Sequence, residues 1–348
     1  MRRSYKLAAA LSAMILALTA CGDDGDDGGD GGGDNGGGGG SDVKVGMAYD
    51  VGGRGDQSFN DSAAAGLDQA VEEFGVESDE AEAEDGEDEA AREERLRTFA
   101  DNGYTTIIAV GFAYSPSVAK VAPEYPDVNF AIIDDEVAVG DNIANLVFAE
   151  EQGSFLVGAA AALKTEKDHI GFIGGVETPL INKFEAGYIA GAKAANPSVM
   201  VKSQYLSQPP DFSGFNDPAK GKTAAEGLYQ GGADVVYHAA GGSGSGVFTA
   251  AKAAGALAIG VDSDQALTAT PDVRDVILTS MIKKVDVAVY DFLKAGSEGS
   301  DLTGNKIFDL KAGGVDYATT GGKVDDIKTK LDDYKAKIIS GEITVPKS

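Results

Sequence analysis

Runs such as Thr105-Thr-Ile-Ile-Ala-Val110 offer no polar face to water when extended. Such a strand is stable only when helices cover both its sides, which is the situation of a parallel sheet. Short β-rich runs of this kind alternate with longer helical patterns from residue 43 onward. Strands are expected near 43–49, 105–111, 129–134, 142–148, 169–175, 200–206, 233–240, 257–262 and 276–282. Helices fall between them, at 61–74, 117–125, 153–164, 183–195, 219–230 and 247–254, and an amphipathic stretch at 324–340 is expected to fold back on one lobe. Roughly three hundred residues patterned in this way exceed what one core serves, so two α/β lobes are expected. In such sheets ligands sit at the carboxyl ends of the strands.

The chain opens with an address. Arg2, Arg3 and Lys6 precede an apolar stretch at 7–18, shorter than the roughly 20 residues of a spanning helix, and residues 1–20 read as an export signal. The signal ends in Leu18-Thr19-Ala20-Cys21, which resembles the lipobox of bacterial lipoproteins, whose Cys is lipidated. An ordinary signal followed by a chance cysteine is the alternative. Cys21 is the only cysteine, so no disulfide can hold the fold. Residues 21–42 are nearly all Gly and Asp and read as a disordered tether spanning roughly 25 Å root-mean-square. The formal charge is −27, and losing Arg2, Arg3 and Lys6 with the signal makes it −30. Such a field repels nucleic acid and anionic lipid heads. The acidic stretch at 77–94 could open the helix that ends near 102, but it is expected to be a solvated face with no role in binding.

Enzyme signatures are scarce. There is no G-x-x-x-x-G-K-[ST], no G-x-G-x-x-G opening a helix, no H-E-x-x-H and no G-x-S-x-G. His169 and His238 are the only histidines, and packing is the expected role of each. The cluster Gly241-Gly242-Ser243-Gly244-Ser245-Gly246, between a strand and a helix, can bring backbone N–H groups up to a ligand; a tight turn is the plainer use. Carboxylates gather at expected strand ends: Asp50, Asp134 with Asp135, and Asp262 with Asp264. A metal-dependent hydrolase or a glycosidase could use them, a sugar site could set one against two vicinal hydroxyls, and each could simply cap a helix.

Several segments together are more specific. They are Asp56-Gln-Ser-Phe-Asn60, Gly111-Phe112, Pro126-Asp-Val-Asn-Phe-Ala-Ile-Ile-Asp134, Glu151-Gln-Gly-Ser-Phe-Leu-Val-Gly158, Phe172-Ile-Gly-Gly175 and Phe184-Glu-Ala-Gly-Tyr-Ile-Ala-Gly-Ala-Lys193. Phe215-Asn-Asp-Pro218, Ala239-Ala-Gly-Gly-Ser-Gly244, Ile259-Gly-Val-Asp-Ser-Asp-Gln265 and Thr279-Ser-Met-Ile-Lys283 continue the set. From about 43 to 295 the chain resembles the basic membrane protein family of lipoproteins, the purine-nucleoside-receptor type of ABC substrate-binding protein. The resemblance implies a type I periplasmic-binding-protein fold: two doubly wound α/β lobes with a hinge and an interlobe ligand cleft. Carried onto this chain, lobe 1 would be 43–148 plus 262–295, and lobe 2 would be 149–260 plus 296–348.

The same resemblance implies the site. Phe59 and either Phe184 or Phe215 would stack on a purine, Asp134 would face the base, Asp262 and Lys283 would hold the ribose, and Gly241 and Gly242 would lend backbone contacts. Asp56, Asn60 and Phe112 lie in the motifs that line it. Each residue has a plainer use: Phe59 as a hydrophobic staple, Phe184 and Phe215 as core, Lys283 as a snorkelling side chain or the partner of Asp262 in a structural ion pair. The function implied is capture of a purine nucleoside at the extracytoplasmic face of the membrane, by a monomer anchored through Cys21, for an ABC permease and its ATPase. Neither cofactor nor nucleic acid enters. The competing functions are a surface nucleoside hydrolase using Asp262, Asp264 and Asp134, and a sugar or signal receptor for a sensor kinase.

Overall fold

The computed structural model describes residues 43–300 and 303–348. The expected signal and tether, with Cys21, lie outside them. Along the first half run β1 (Lys44–Tyr49), α1 (Phe59–Phe74), β2 (Glu77–Glu82), α2 (Glu89–Asp101), β3 (Thr106–Ala109), α3 (Ser115–Val121), β4 (Asn129–Ile133) and β5 (Ile143–Phe148). Then come α4 (Glu150–Lys164), β6 (His169–Val176), α5 (Pro179–Ala195), β7 (Met200–Ser207), α6 (Pro218–Gln230), β8 (Val235–Ala239), α7 (Gly244–Ala254) and β9 (Leu257–Asp262). The chain finishes with α8 (Gln265–Thr268), β10 (Ile277–Lys283), α9 (Val285–Ser297), β11 (Gly304–Phe308), β12 (Val315–Tyr317) and α10 (Lys328–Ser340).

Two six-stranded sheets result, in the orders β11-β5-β4-β3-β1-β2 and β12-β10-β9-β8-β6-β7. The pairings are parallel except β10 with β12. β4 and β9 therefore hold the same place in their sheets, as do β3 and β8, and β1 and β6. The central strands β3, β5 and β8 are buried at every residue, as their apolar runs require. Chain punctuation agrees with the sequence: Thr178 caps α5 by accepting from Ile181 N at 3.3 Å with Pro179 following, and Gly75 and Gly255 end α1 and α7 in the left-handed region.

The chain crosses between lobes at Ala149, at Lys284 and within 309–314. The lobes consequently divide differently from the expectation of 43–148 plus 262–295. β10 belongs to the second sheet, while α9, one residue further on, lies on α1 of the first lobe; β11 returns to the first sheet although 296–348 was expected in the second lobe. Helix α10 does pack on the second lobe: Tyr334 meets Phe155 of α4 edge-on at 5.5 Å, and Leu331 and Ile338 are buried.

The acidic stretch departs most from expectation. Glu77–Glu82 is an edge strand, and α2 starts only after Asp88, whose carboxylate accepts from Ala91 N at 3.0 Å. Nor is the stretch purely solvated. Glu80 accepts from Tyr49 Oη at 2.5 Å and Arg54 Nε at 2.6 Å, and Glu87, 5% exposed, pairs with Arg95 and Arg92 at 2.6 and 3.3 Å. Charge on an edge strand also discourages pairing with a second chain.

Helices α4 and α5 touch backbone to backbone. A Cβ at Gly187 or Gly191 would stand 2.1 or 1.9 Å from the Glu151 or Phe155 carbonyl oxygen, so only glycine permits this approach. That contact fixes the first turns of α4 against the middle of α5.

Candidate ligand site

The carboxyl ends of both sheets face one cavity. Phe59 and Phe112 line it from the first lobe, Phe184 and Phe215 from the second, with Leu180, Ile181, Val51 and Val261 between. Asp50, Asp56, Asn60, Asp134, Asp262, Lys283, Gly111 and Gly241 complete the lining with Ala239 and Ala240. Ten of the eleven expected ligand residues are thus brought together. The exception is Gly242, which lies on a separate groove beside Asn216 and Ser245.

The glycine cluster divides by the same measure. Gly241, with φ +51°, reaches the cavity, but Gly244 and Gly246 are required by packing, since a Cβ there would stand 1.9 Å from the His238 ring or the Pro218 carbonyl oxygen. His238 is core, wholly buried edge-on against Phe248 at 5.1 Å, and burial pushes its pKa down to about 4.

Asp134 and Asp262 follow equivalent strands, and both adopt left-handed backbone, φ +66° and +63°. Asp tolerates that region better than most residues, but it still costs of order 1 kcal/mol, and such strain concentrates at ligand sites. The two side chains are held differently. Asp134 accepts a very short bond from the Lys283 ammonium, whereas Asp262 accepts from Ser58 Oγ at 2.5 Å. The plainer alternative of an Asp262–Lys283 ion pair is not what forms: Lys283 pairs with Asp134, which sits with the cation rather than apart from it.

Lys283 is the last residue of β10 and is 2% exposed, so it does not snorkel. Its Nζ lies 5.0, 5.1 and 5.5 Å from the ring centroids of Phe59, Phe148 and Phe184. Burial works against its charge, yet the carboxylates of Asp134, Glu150 and Asp262 outweigh that and hold its pKa above the ordinary value. Glu150 escaped the sequence reading. It is 0% exposed at the first residue of α4, 3.4 Å from Lys283 Nζ, and burial raises its pKa. Nothing local marks it, because a glutamate at a helix start is ordinarily a solvated partner of the helix dipole.

Asp56 and Asn60 prove to be builders of the site. The Asp56 carboxylate accepts from Ser58 N, Asn60 N, Asn60 Nδ2 and Asp61 N at 2.8 to 3.2 Å. Asn60 in turn accepts from Asp50 N at 3.2 Å. Asp50 keeps more capacity: Val51 N donates to its Oδ1 at 2.8 Å, and its Oδ2 lies against Gly111, whose φ of +105° and missing Cβ make room for it. Asp264, by contrast, lies outside this cavity and accepts from Thr320 Oγ1 at 2.5 Å.

The lobes meet around the cavity. Ser263 Oγ donates to Ser58 O at 3.3 Å, Gln265 Nε2 donates to Gln57 O at 3.0 Å, and Phe112 meets Phe215 edge-on at 6.4 Å.

Burial raises the pKa of both Asp50 and Asp262 to about 6. The folded chain therefore binds protons here that the unfolded chain has already released, so this stability is present at low pH and lost as pH rises towards and through about 6. The unfolding free energy of the ligand-free protein is expected to fall between about pH 5 and about pH 7 by on the order of 1 kcal/mol for each group, and the melting temperature with it. A rise over that span, seen by differential scanning calorimetry, would contradict the placement of these carboxylates.

Residues 43–348 match the family model described as ABC transporter substrate-binding protein PnrA-like. The chain belongs to this family. Relatives of the PnrA-like chain include the CD4+ T-cell-stimulating antigen of Listeria monocytogenes, 36% identical with 88% of each chain covered. Another is the ABC transporter nucleoside-binding protein BmpA of Lactococcus lactis, 34% identical with 88% of this chain and 90% of that one covered. Among solved structures, an ABC transporter solute-binding protein from Aeropyrum pernix superposes with a TM-score of 0.77 at 31% identity, covering 88% of this chain and 94% of that one. The PnrA-like chain thus has the type I periplasmic-binding-protein fold and is an ABC transporter substrate-binding protein.

Proposed function

We propose that the protein captures a purine nucleoside, closes on it, and hands it unchanged to an ABC permease. The observation that carries this reading is the joint lining of one cavity by phenyl rings from both lobes and by the strand-end carboxylates Asp134 and Asp262 flanking Lys283. A flat heterocycle gains about 1 to 3 kcal/mol from stacking on an aromatic ring, a larger aromatic lining than a simple sugar needs. Asp262 has Oδ1 left to accept ribose hydroxyls, with Lys283 and Asp134 beside it. Asp50 follows β1, two strands from β4 and so about 10 Å along the sheet edge, where it can meet the donors of the base. Phe59 stacks from the first lobe, and Phe184 or Phe215 from the second. The name of the Lactococcus lactis relative, a nucleoside-binding protein, supports the ligand class.

In this reading the protein is a monomer at the extracytoplasmic face, held by a lipid on Cys21 and spaced from the bilayer by the Gly/Asp tether. Among the described residues no helix is long and apolar enough to cross a membrane. The lining holds four carboxylates against one ammonium, so a nucleoside is accepted and its phosphorylated forms are refused. A thermal-shift titration tests both halves. Inosine at 100 times its Kd should stabilise the fold by about 2.7 kcal/mol, while inosine monophosphate should leave the melting temperature where it was. No shift with millimolar inosine, adenosine or guanosine would remove the assignment.

A further inference from the structure

Lys183 stands on the first turns of α5, one residue before Phe184, yet it does not line the cavity. Its ammonium leaves the second lobe. It lies 3.3 Å from Glu136, in the loop after β4 of the first lobe, and 3.7 Å from Glu150, directly after the Ala149 crossover. Lys183 is 17% exposed and Glu136 52%, so that pair alone would be largely screened. Glu150 is different. Neither of its carboxylate oxygens has a hydrogen-bond partner among the described residues, and its charge is met only by Lys183 and, at 3.4 Å, by Lys283.

The result is a line of alternating charge, Asp134, Lys283, Glu150, Lys183 and Glu136, whose two carboxylate ends are two residues apart in the chain. Asp134 and Glu136 lie on the first lobe, and Lys283, Glu150 and Lys183 on the second, the first two of these beside the crossovers. Opening the cleft would part Lys183 from Glu136 and Lys283 from Asp134 and leave both ammoniums to Glu150 alone, which is unfavourable.

We propose that Lys183 is a positioning residue for ligand capture, an interlobe latch that never touches the ligand but keeps the lobes shut and, through Glu150, keeps Lys283 aimed into the cavity. The inference rests on the two-lobe capture reading above. A latch that holds the lobes shut acts mainly on release.

The test uses the full chain and inosine as probe, with stopped-flow rates followed by intrinsic tyrosine fluorescence. Lys183→Met is expected to raise the dissociation rate about tenfold while the association rate stays within about twofold, and Lys183→Arg to restore slow release. Small-angle scattering of the ligand-free chain should give a larger radius of gyration for Lys183→Met than for the wild type. An unchanged dissociation rate in Lys183→Met, or no recovery with Arg, overturns the proposal. If the wild type binds no nucleoside, the ligand reading fails separately, and equal radii of gyration for wild type and Lys183→Met then overturn the latch.

Discussion

Lys283→Met is expected to abolish nucleoside capture and to destabilise the fold by about 3 to 5 kcal/mol at neutral pH. The reason is what remains. Met fills a similar volume among Phe59, Phe148 and Phe184, but Asp134 and Glu150 lose the cation that both of them face. Asp134 must then remain charged without compensation, and Glu150 with Lys183 alone, or they must take up protons. The destabilisation should therefore shrink as pH is lowered to about 5, which urea unfolding at two pH values would reveal. Lys283→Arg should not rescue, because a planar guanidinium cannot occupy the compact space of an ammonium that is 2% exposed. Retention of both affinity and stability in Lys283→Met would mean that the buried charge cluster has no bearing on the site.

Asp262→Asn has a narrower expected effect. The size of the side chain is kept, and the bond from Ser58 Oγ can persist, but the remaining oxygen capacity for a diol is halved and its charge is gone. Losing a charge-assisted bond is worth about 1.5 to 3 kcal/mol, so inosine affinity should fall by about 10- to 150-fold. The wild type should also prefer inosine to its deoxy-sugar analogue, and Asp262→Asn should bind the two nearly alike. Equal loss of affinity for both sugars would place Asp262 in the scaffold.

Fold class was legible in the sequence because strands buried on both faces must be mostly apolar, as β3, β5 and β8 are. β2 was not legible. Its sequence Glu-Ser-Asp-Glu-Ala-Glu has no apolar alternation, and only its place at a sheet edge, supported by Tyr49 and Arg54, makes it a strand. The lobe division failed for a related reason. Hydrophobic periodicity gives a strand its type but not the sheet it joins, so β10 and α9, on opposite sides of the Lys284 crossover, read as one continuous unit.

The site was legible where chemistry follows from strand ends. Asp134 and Asp262 could be picked out as carboxylates after apolar runs, but their partners could not, since the bonds to Lys283 and Ser58 join positions 149 and 204 residues apart. Asp56 and Asn60 carried the motif signal, yet their polar atoms are spent on the turn that presents Phe59 and on orienting Asp50. Asp50 was visible as a strand-end carboxylate, but it was not joined to the site. Lys183 and Glu150 act outside the cavity lining, where neither local spacing nor residue type gives a signal.

A crystal structure of the chain with inosine tests the central claim most directly. The account predicts the base lying against Phe59 with a second ring from Phe184 or Phe215, and a ribose hydroxyl within hydrogen-bond distance of Asp262. Inosine bound elsewhere, or seated between the lobes with Phe59 and Asp262 untouched, would contradict it.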